Sequence, residues 1–564
     1  MFIDARTVVS GAQVEADLCI IGAGASGIAL GQEFIDTPLQ VCVLESGGLD
    51  FDPLTQTLYQ GTNIGLPYFD LDVCQIRYFG GNTNAWGGWC RPLDSIDFAP
   101  RPWVENSGWP LAAASLQPYY RHAHALCQLR SDDYDPDRAA AEIGHARAQL
   151  LPFDPALVET SIYRFSAPTR FGEVYREALR RAANIRCYLN ANVLRIATTE
   201  DAGAVTHVAV GCLSGTRFRV RDKHFVLAAG GIENTRLLLL SNDVIPGGLG
   251  NQHDLLGRYF MEHPHTKRRL IATHRTMPSA LYGLSFREQA LSARLALPPA
   301  LQEREGLLNY SGNIHPIYFA HETPGWLAFR KFVLSISRSR RSDPYIRFPP
   351  YGPKGLTLQQ MIDIIRQLDK VTAAAVFQLF QPNRFISGYV LESKSEQAPN
   401  PESRVRLDPM KRDAFGLSRV KLDWRMLPID RRTVIRAEEI VEGELGRLGI
   451  GRLAPLAPSE IEGWPANLEG GWHQIGTTRM HEDPRRGVVD PDGKLHGVAN
   501  LFVAGSSVFP TAGAAPPTLT IVALALRLAD RLKQLFALRP SAAAPIKTRT
   551  VERDVAALAS STPE

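Results

Sequence analysis

Apolar residues along this chain fall into short continuous runs broken by glycine or proline, and three of these runs share one arrangement. The run DLCII (17–21) leads into a glycine-rich turn, a helical stretch through Phe34 and a second run, QVCVL (40–44). Uninterrupted aliphatic and β-branched runs of this length predict strands buried on both faces, so the segment reads as a βαβ unit. HFVLAAGGIENTRLLLLS (224–241) repeats the pattern of strand before an Ala/Gly turn. NLFVAGSSVFP (500–510), leading into TLTIVALALRLADRL, repeats it again. United in one parallel sheet, the three predict a domain assembled from separated pieces of the chain.

The middle of the chain has another texture. RFISGYVLESKSEQAPNPESRVRLD (384–408) and SRVKLDWRM (418–426) alternate short strands with Pro, Asn and Ser turns. That alternation predicts an antiparallel sheet, the kind that floors a substrate cavity in two-lobed enzymes. The expected class is mixed α/β. Residues 1–265 and 461–537 form a discontinuous Rossmann-like domain with cap segments around 60–160, and residues 266–460 form a substrate domain whose mainly antiparallel sheet is covered by helices. Residues 538–564, rich in Ala, Ser and Pro, read as a loosely ordered tail.

One stretch, 501–526, is uncharged for longer than the ~20 residues of a membrane-spanning helix. Pro510, Pro516 and Pro517 break any single helix there, which predicts a buried strand, a loop and a buried helix instead. The amino terminus has neither a signal-peptide apolar core nor twin arginines, so a cytoplasmic location without a transmembrane segment is expected.

Composition narrows the classes further. With 45% hydrophobic and 9% aromatic residues in 564, a mainly disordered protein is excluded. Lys plus Arg (62) nearly cancels Asp plus Glu (58), leaving +4 and no global pull toward nucleic acid. The basic segment 326–347, with Arg330, Lys331, Arg338, Arg340, Arg341 and Arg347, reads as a solvated face. Peripheral membrane contact and an anionic-substrate lid are its alternatives. Seven cysteines without a C-x-x-C pair exclude a disulfide framework, and neither a metal site nor a haem-attachment motif is expected.

The first glycine turn reads Gly22-Ala23-Gly24-Ala25-Ser26-Gly27, and the second strand of its unit ends at Glu45, eighteen residues beyond Gly27. This is what a dinucleotide site requires. Gly22 permits the tight turn, Gly24 lets backbone approach a pyrophosphate, and Gly27 allows close helix packing. Ala25 and Ser26 open the helix whose positive dipole end faces the phosphates, and Glu45 accepts from a ribose. An acid at 45 disfavours a 2′-phosphate, leaving FAD or NAD rather than NADP.

Three further segments carry a family resemblance: YFGGNTNAWGGWCRPLD (78–94), GWHQIGTTRMHEDPRRGVVDPDGKLHGVANLFVAGSSVFPTAG (471–513) and APPTLTIVALALRLAD (515–530). In this order the chain resembles the glucose/methanol/choline (GMC) family of FAD-dependent oxidoreductases, nearest to bacterial sugar and polyol dehydrogenases and pyranose-oxidase-like members. The resemblance implies an FAD-binding domain and oxidation of a CH–OH group of a sugar, polyol or sugar-containing metabolite. It leaves the electron acceptor open among a quinone, a redox protein and oxygen. Gly80, Gly81, Asn82, Thr83 and Asn84 are implied to run beside the flavin, Val193 to contact the adenine, and Ala504 and Gly505 to let ribityl and phosphates pack close. Thr518 and Leu519 are implied to aim backbone N–H groups at the flavin N1/C2 oxygen. Some relatives link flavin covalently through a histidine, but Ala85 stands at that place here, so non-covalent FAD is expected.

The implied catalytic residue is His473, a group near neutral pKa suited to take a hydroxyl proton. His263, His481 and His496 are read as structural. Relatives carry His or Asn at a second position where this chain has Pro516, which offers neither a side-chain donor nor a backbone N–H. That departure keeps two alternatives open, a hydroxynitrile-lyase-like activity without net redox and a flavoprotein with weakened catalysis.

Overall fold

The structure, a computed structural model, describes residues 1–144, 148–166, 169–274, 277, 279–283, 291–318, 323–326, 328–329, 358–372 and 386–538. The cationic residues of the basic segment and the tail from 539 lie outside the described residues.

Six strands form one parallel sheet in the order Phe2–Asp4, Ile185–Leu189, Val41–Leu44, Leu18–Ile21, His224–Leu227, Leu501–Val503. Every neighbouring pair is parallel, with Ile20 opposite Val43 on one side and Val226 on the other. The three strand-turn runs thus lie side by side, their turns at one sheet end, as strands covered on both faces do. Two helices, Ala25–Glu33 and Thr518–Leu535, pack on each other, and the second also packs on Ala113–Leu126. The uncharged stretch near the carboxyl terminus is therefore core: Leu501, Phe502, Val503, Val522 and Ala525 are at most 2% exposed. Among the described residues no helix is long and apolar enough to cross a membrane.

A second sheet of seven strands runs Gly451–Leu453, His265–Ala272, Ile386–Ser395, Tyr310–Tyr318, Leu291–Ala296, Glu159–Phe165, Trp89–Cys90. All its pairings are antiparallel, and the helix Pro428–Arg447 packs over it. Two of its strands come from outside the middle stretch. Glu159–Phe165 pairs with Leu291–Ala296, and the two-residue strand Trp89–Cys90 then pairs with Phe165 and Arg164, giving the sheet a short edge. All seven cysteines are buried and unpaired.

Candidate active site

One cavity runs from the first glycine turn to the end of the antiparallel sheet. At its nucleotide end stand Gly22, Gly24, Ala25, Ser26, Glu45 and Val193. Gly22 has φ +105°, and a Cβ there would lie 2.6 Å from the Ala228 carbonyl oxygen, so only glycine makes this turn beside the neighbouring strand. A Cβ on Gly24, by contrast, would meet nothing within 4 Å. The space beside Gly24 is a cradle that protein does not fill, at the amino end of a helix, as a pyrophosphate needs. Glu45, 5% exposed, accepts the Ala23 N–H at 2.9 Å and the Gly47 N–H at 2.8 Å. It therefore braces the turn as well as facing the cavity, and burial raises its carboxyl above the usual range. Arg77, which no sequence motif marks, also lines this end, 3.3 Å from Glu233.

Gly81, Asn82, Thr83, Gly505 and Thr518 line the middle of the cavity, together with Ala85 and Pro516. Asn82 ties its own wall: Oδ1 accepts the Ile76 N–H at 2.8 Å and Nδ2 donates to the Cys74 carbonyl at 3.1 Å. Five expected residues do not line it, each for a packing reason. A Cβ on Gly27 would collide with the Gly22 carbonyl, so this glycine serves helix packing. Gly80 abuts Gly172, whose backbone nitrogen would be 2.9 Å from a Cβ. Asn84 turns back to donate to the Phe79 carbonyl at 3.0 Å. Ala504 extends the parallel sheet, its N–H donating to the Leu227 carbonyl at 2.7 Å, and Leu519 is a fully buried core residue.

At the far end His473 meets His263, the two Nδ1 atoms 2.6 Å apart. The rings are near perpendicular, at 79°, with centroids 4.8 Å apart. His263 is 1% exposed, and burial pushes it down from 6.5 to about 4, so it is neutral near pH 7. Its Nε2 lies 2.7 Å from the Gly513 carbonyl. A carbonyl only accepts, so Nε2 carries the proton and Nδ1 is the acceptor. His473 Nδ1 must then donate, which leaves the lone pair of a neutral His473 on Nε2. The chain Gly513, His263, His473 thus fixes one tautomer of a base.

A buried carboxylate holds the same segment from behind. Glu262 Oε2 accepts N–H groups from Gly471 at 2.9 Å, His473 at 3.0 Å and His263 at 3.2 Å. Its Oε1 accepts from the Tyr68 hydroxyl. Between the first two donors Trp472 takes φ +62°, a left-handed conformation costly for tryptophan. Two N–H groups converging on one carboxylate oxygen are what hold it there.

The antiparallel sheet supplies the floor. His265, Lys394, Arg294 and Trp89 all line the cavity, and the His265 ring lies 6.4 Å from that of His473. Nearby, His265, Glu392 and Glu469 bring ligand atoms within 4.8 Å of one another. Cations already meet both carboxylates: Lys394 is 3.0 Å from Glu392 and Lys267 3.0 Å from Glu469.

Among the histidines read as structural, His481 and His496 bond to local backbone, the Asp483 N–H and the His481 carbonyl, each at 2.9 Å, and do not line the cavity. His263 is different: it lines the cavity and holds His473 through Nδ1, while Nε2 stays on the Gly513 carbonyl. A signal for it exists in the sequence: in an extended segment, His263-Pro264-His265 puts both rings on one face.

Residues 399–525 match the family model described as GMC oxidoreductase. Paromamine 6'-oxidase of Streptomyces fradiae is 25% identical, over 91% of this chain and 90% of that protein. 2-methyl-1,2-propanediol dehydrogenase of Mycolicibacterium austroafricanum is 24% identical, over 93% and 96% respectively. The fold is shared with pyridoxine 4-oxidase from Mesorbium loti, at a TM-score of 0.56 and 17% identity over 92% of this chain and 99% of that one. The open cradle at the glycine turn thus meets an independent line of likeness: residues 399–525 are similar to the GMC oxidoreductases, and the two relatives extend a likeness of 24–25% identity over nine-tenths of the chain.

Proposed function

We propose that this protein oxidises a CH–OH group of a sugar, polyol or sugar-containing metabolite to a carbonyl, with His473 as general base and FAD held non-covalently. The observation that carries the reading is the fixed tautomer of His473 at the cavity. When bound, FAD supplies the two-electron acceptor for the hydride of the carbinol carbon. The chain's own task is the proton: Nε2 of His473 takes it from the substrate hydroxyl, while His263 and Glu262 keep the ring in place.

Gly22, Gly24 and Ser26 would hold the pyrophosphate, Glu45 and Val193 the adenosine, and Gly81, Asn82, Thr83, Gly505 and Thr518 the flavin half. Thr518 opens an 18-residue helix, whose positive end favours negative charge on the flavin. The methyl group of Ala85, in the cavity wall, has no atom to bond to a flavin, which supports the non-covalent reading. Acid precipitation of the purified protein should leave the flavin in the supernatant. Reoxidation is assigned to an acceptor outside the chain.

The relatives' names, an oxidase of paromamine and a dehydrogenase of 2-methyl-1,2-propanediol, favour oxidation over a lyase. His263, whose two ring nitrogens are taken by His473 and Gly513, does not restore the donor absent at Pro516; the tautomer it fixes on His473 is what speaks against weakened catalysis. The test is anaerobic mixing of the yellow protein with a panel of sugars, polyols and aromatic alcohols. Bleaching by a sugar or polyol is expected. Turnover with the flavin permanently oxidised would overturn the reading in favour of the lyase.

A further inference from the structure

Arg294 is a fully buried guanidinium on the cavity wall. Arg77 and Lys394, the other cations of that wall among the described residues, stand 3.3 Å from Glu233 and 3.0 Å from Glu392. Arg294 makes no ion pair and no hydrogen bond with any described residue, and its Nε is buried without a partner. Among the described residues two rings hold it: its guanidinium carbon is 4.3 Å from the Tyr163 ring centre and 5.1 Å from that of Trp89. Aromatic faces orient such a cation without neutralising it, and an uncompensated charge out of water is costly. A protein keeps such a group when something else completes the pair.

The register of the sheet shows where. His265 is opposite Lys394, Lys394 opposite Ser311, and Ser311 opposite Ala296, so these residues share a face. Arg294, two residues before Ala296, lies on that face too. Three strand spacings of ~4.8 Å separate the backbone of Arg294's strand from that of His265, or ~14 Å. A group bound at Arg294 is therefore several bonds away from a carbinol at His473.

We propose that the substrate is an acid, with a carboxylate seated on Arg294 on the antiparallel-sheet wall, three strands along from His265; this rests on the carbinol oxidation proposed above. One uncompensated cation matches one negative charge, and the planar fork of guanidinium matches a carboxylate bidentately. A phosphate dianion would leave charge unmatched. The acids that fit are polyhydroxylated chains or rings ending in a carboxylate, the aldonates and uronates.

The experiment is anaerobic flavin reduction by D-gluconate and D-glucuronate, each against its neutral counterpart, D-glucitol and D-glucose. In the wild-type holoenzyme the acids should be at least about tenfold more efficient in reduction rate over Kd. Arg294→Met should bring that ratio near one, and Arg294→Lys should keep part of it. If the neutral partners match or exceed the acids, the carboxylate proposal falls while carbinol oxidation stands. The carboxylate proposal falls in the same way if Arg294→Met leaves the ratio unchanged. If none of the four compounds bleaches the flavin, the proposal falls, and a blank result across the wider alcohol panel would bring down carbinol oxidation with it. The wild-type ratio decides alone should the methionine variant not fold.

Discussion

Replacing His263 with leucine removes the acceptor of the 2.6 Å bond from His473 Nδ1 while keeping an apolar side chain in a buried place. His473 then has a donor without its partner and no reason to keep one tautomer. An unsatisfied buried donor costs about 1–3 kcal/mol, and at about 1.4 kcal/mol per factor of ten the flavin-reduction rate should fall by about 5- to 140-fold. His263→Asn should stay within about fivefold of wild type, because its amide oxygen can accept from His473 and only the bond to Gly513 is forfeited. Anaerobic stopped-flow reduction, with FAD content read from the visible spectrum, measures both variants. The loss should sit in the limiting rate rather than in substrate Kd. A leucine variant within twofold of wild type, or an asparagine variant as slow as the leucine one, refutes the tautomer argument.

Other consequences follow from the same geometry. Gly24→Val should fold with the thermal stability of the flavin-free protein yet fail to retain FAD, since its side chain enters the open cradle at an ordinary φ of −84°. Gly27→Ala should instead lower the melting temperature of flavin-free protein, because its Cβ meets the Gly22 carbonyl; a colourless but equally stable Gly27 variant would reverse these roles. His263 also predicts a pH dependence of stability. Its folded value is near 4 against 6.5 unfolded, so the unfolded chain binds the proton first as pH falls. The stability present above pH 6.5 declines through this window, and about 3 kcal/mol is gone below pH 4. Urea unfolding of wild type and His263→Asn at pH 7 and 4.5 should show the variant gaining relative stability at the lower pH. A constant difference between the two would count against the buried neutral ring.

Four of the six strands of the parallel sheet were legible because their signals are local, whereas Phe2–Asp4 and Ile185–Leu189 were not. After a leading Asp17, Gln40 and His224, the runs at 17–21, 40–44 and 224–227 are apolar, as is 501–503; all but the second open onto Gly or Ala, and prolines divide the carboxyl-terminal run. Within the cavity, Gly22, Gly24 and Glu45 were readable from their spacing, and Gly81 from the family resemblance. What escaped was built across the chain. His263 reaches His473 from 210 residues away, and nothing near Pro516 announces it. Glu262 acts through backbone N–H groups whose direction depends on the left-handed Trp472. Trp89–Cys90 is a strand only because Phe165 and Arg164 lie alongside, two residues being too few to show a period. Gly80 and Asn84 sit in the right motif but turn toward Gly172 and Phe79, a distinction made by packing alone.

The central claim is that His473 takes the substrate proton in a chain that binds FAD. Single-turnover anaerobic reduction of His473→Ala by whichever substrate bleaches the wild-type flavin tests it most directly. The variant should purify yellow, with wild-type flavin content, and its reduction should slow by about 100-fold or more. A yellow His473→Ala protein reduced at the wild-type rate would contradict the account.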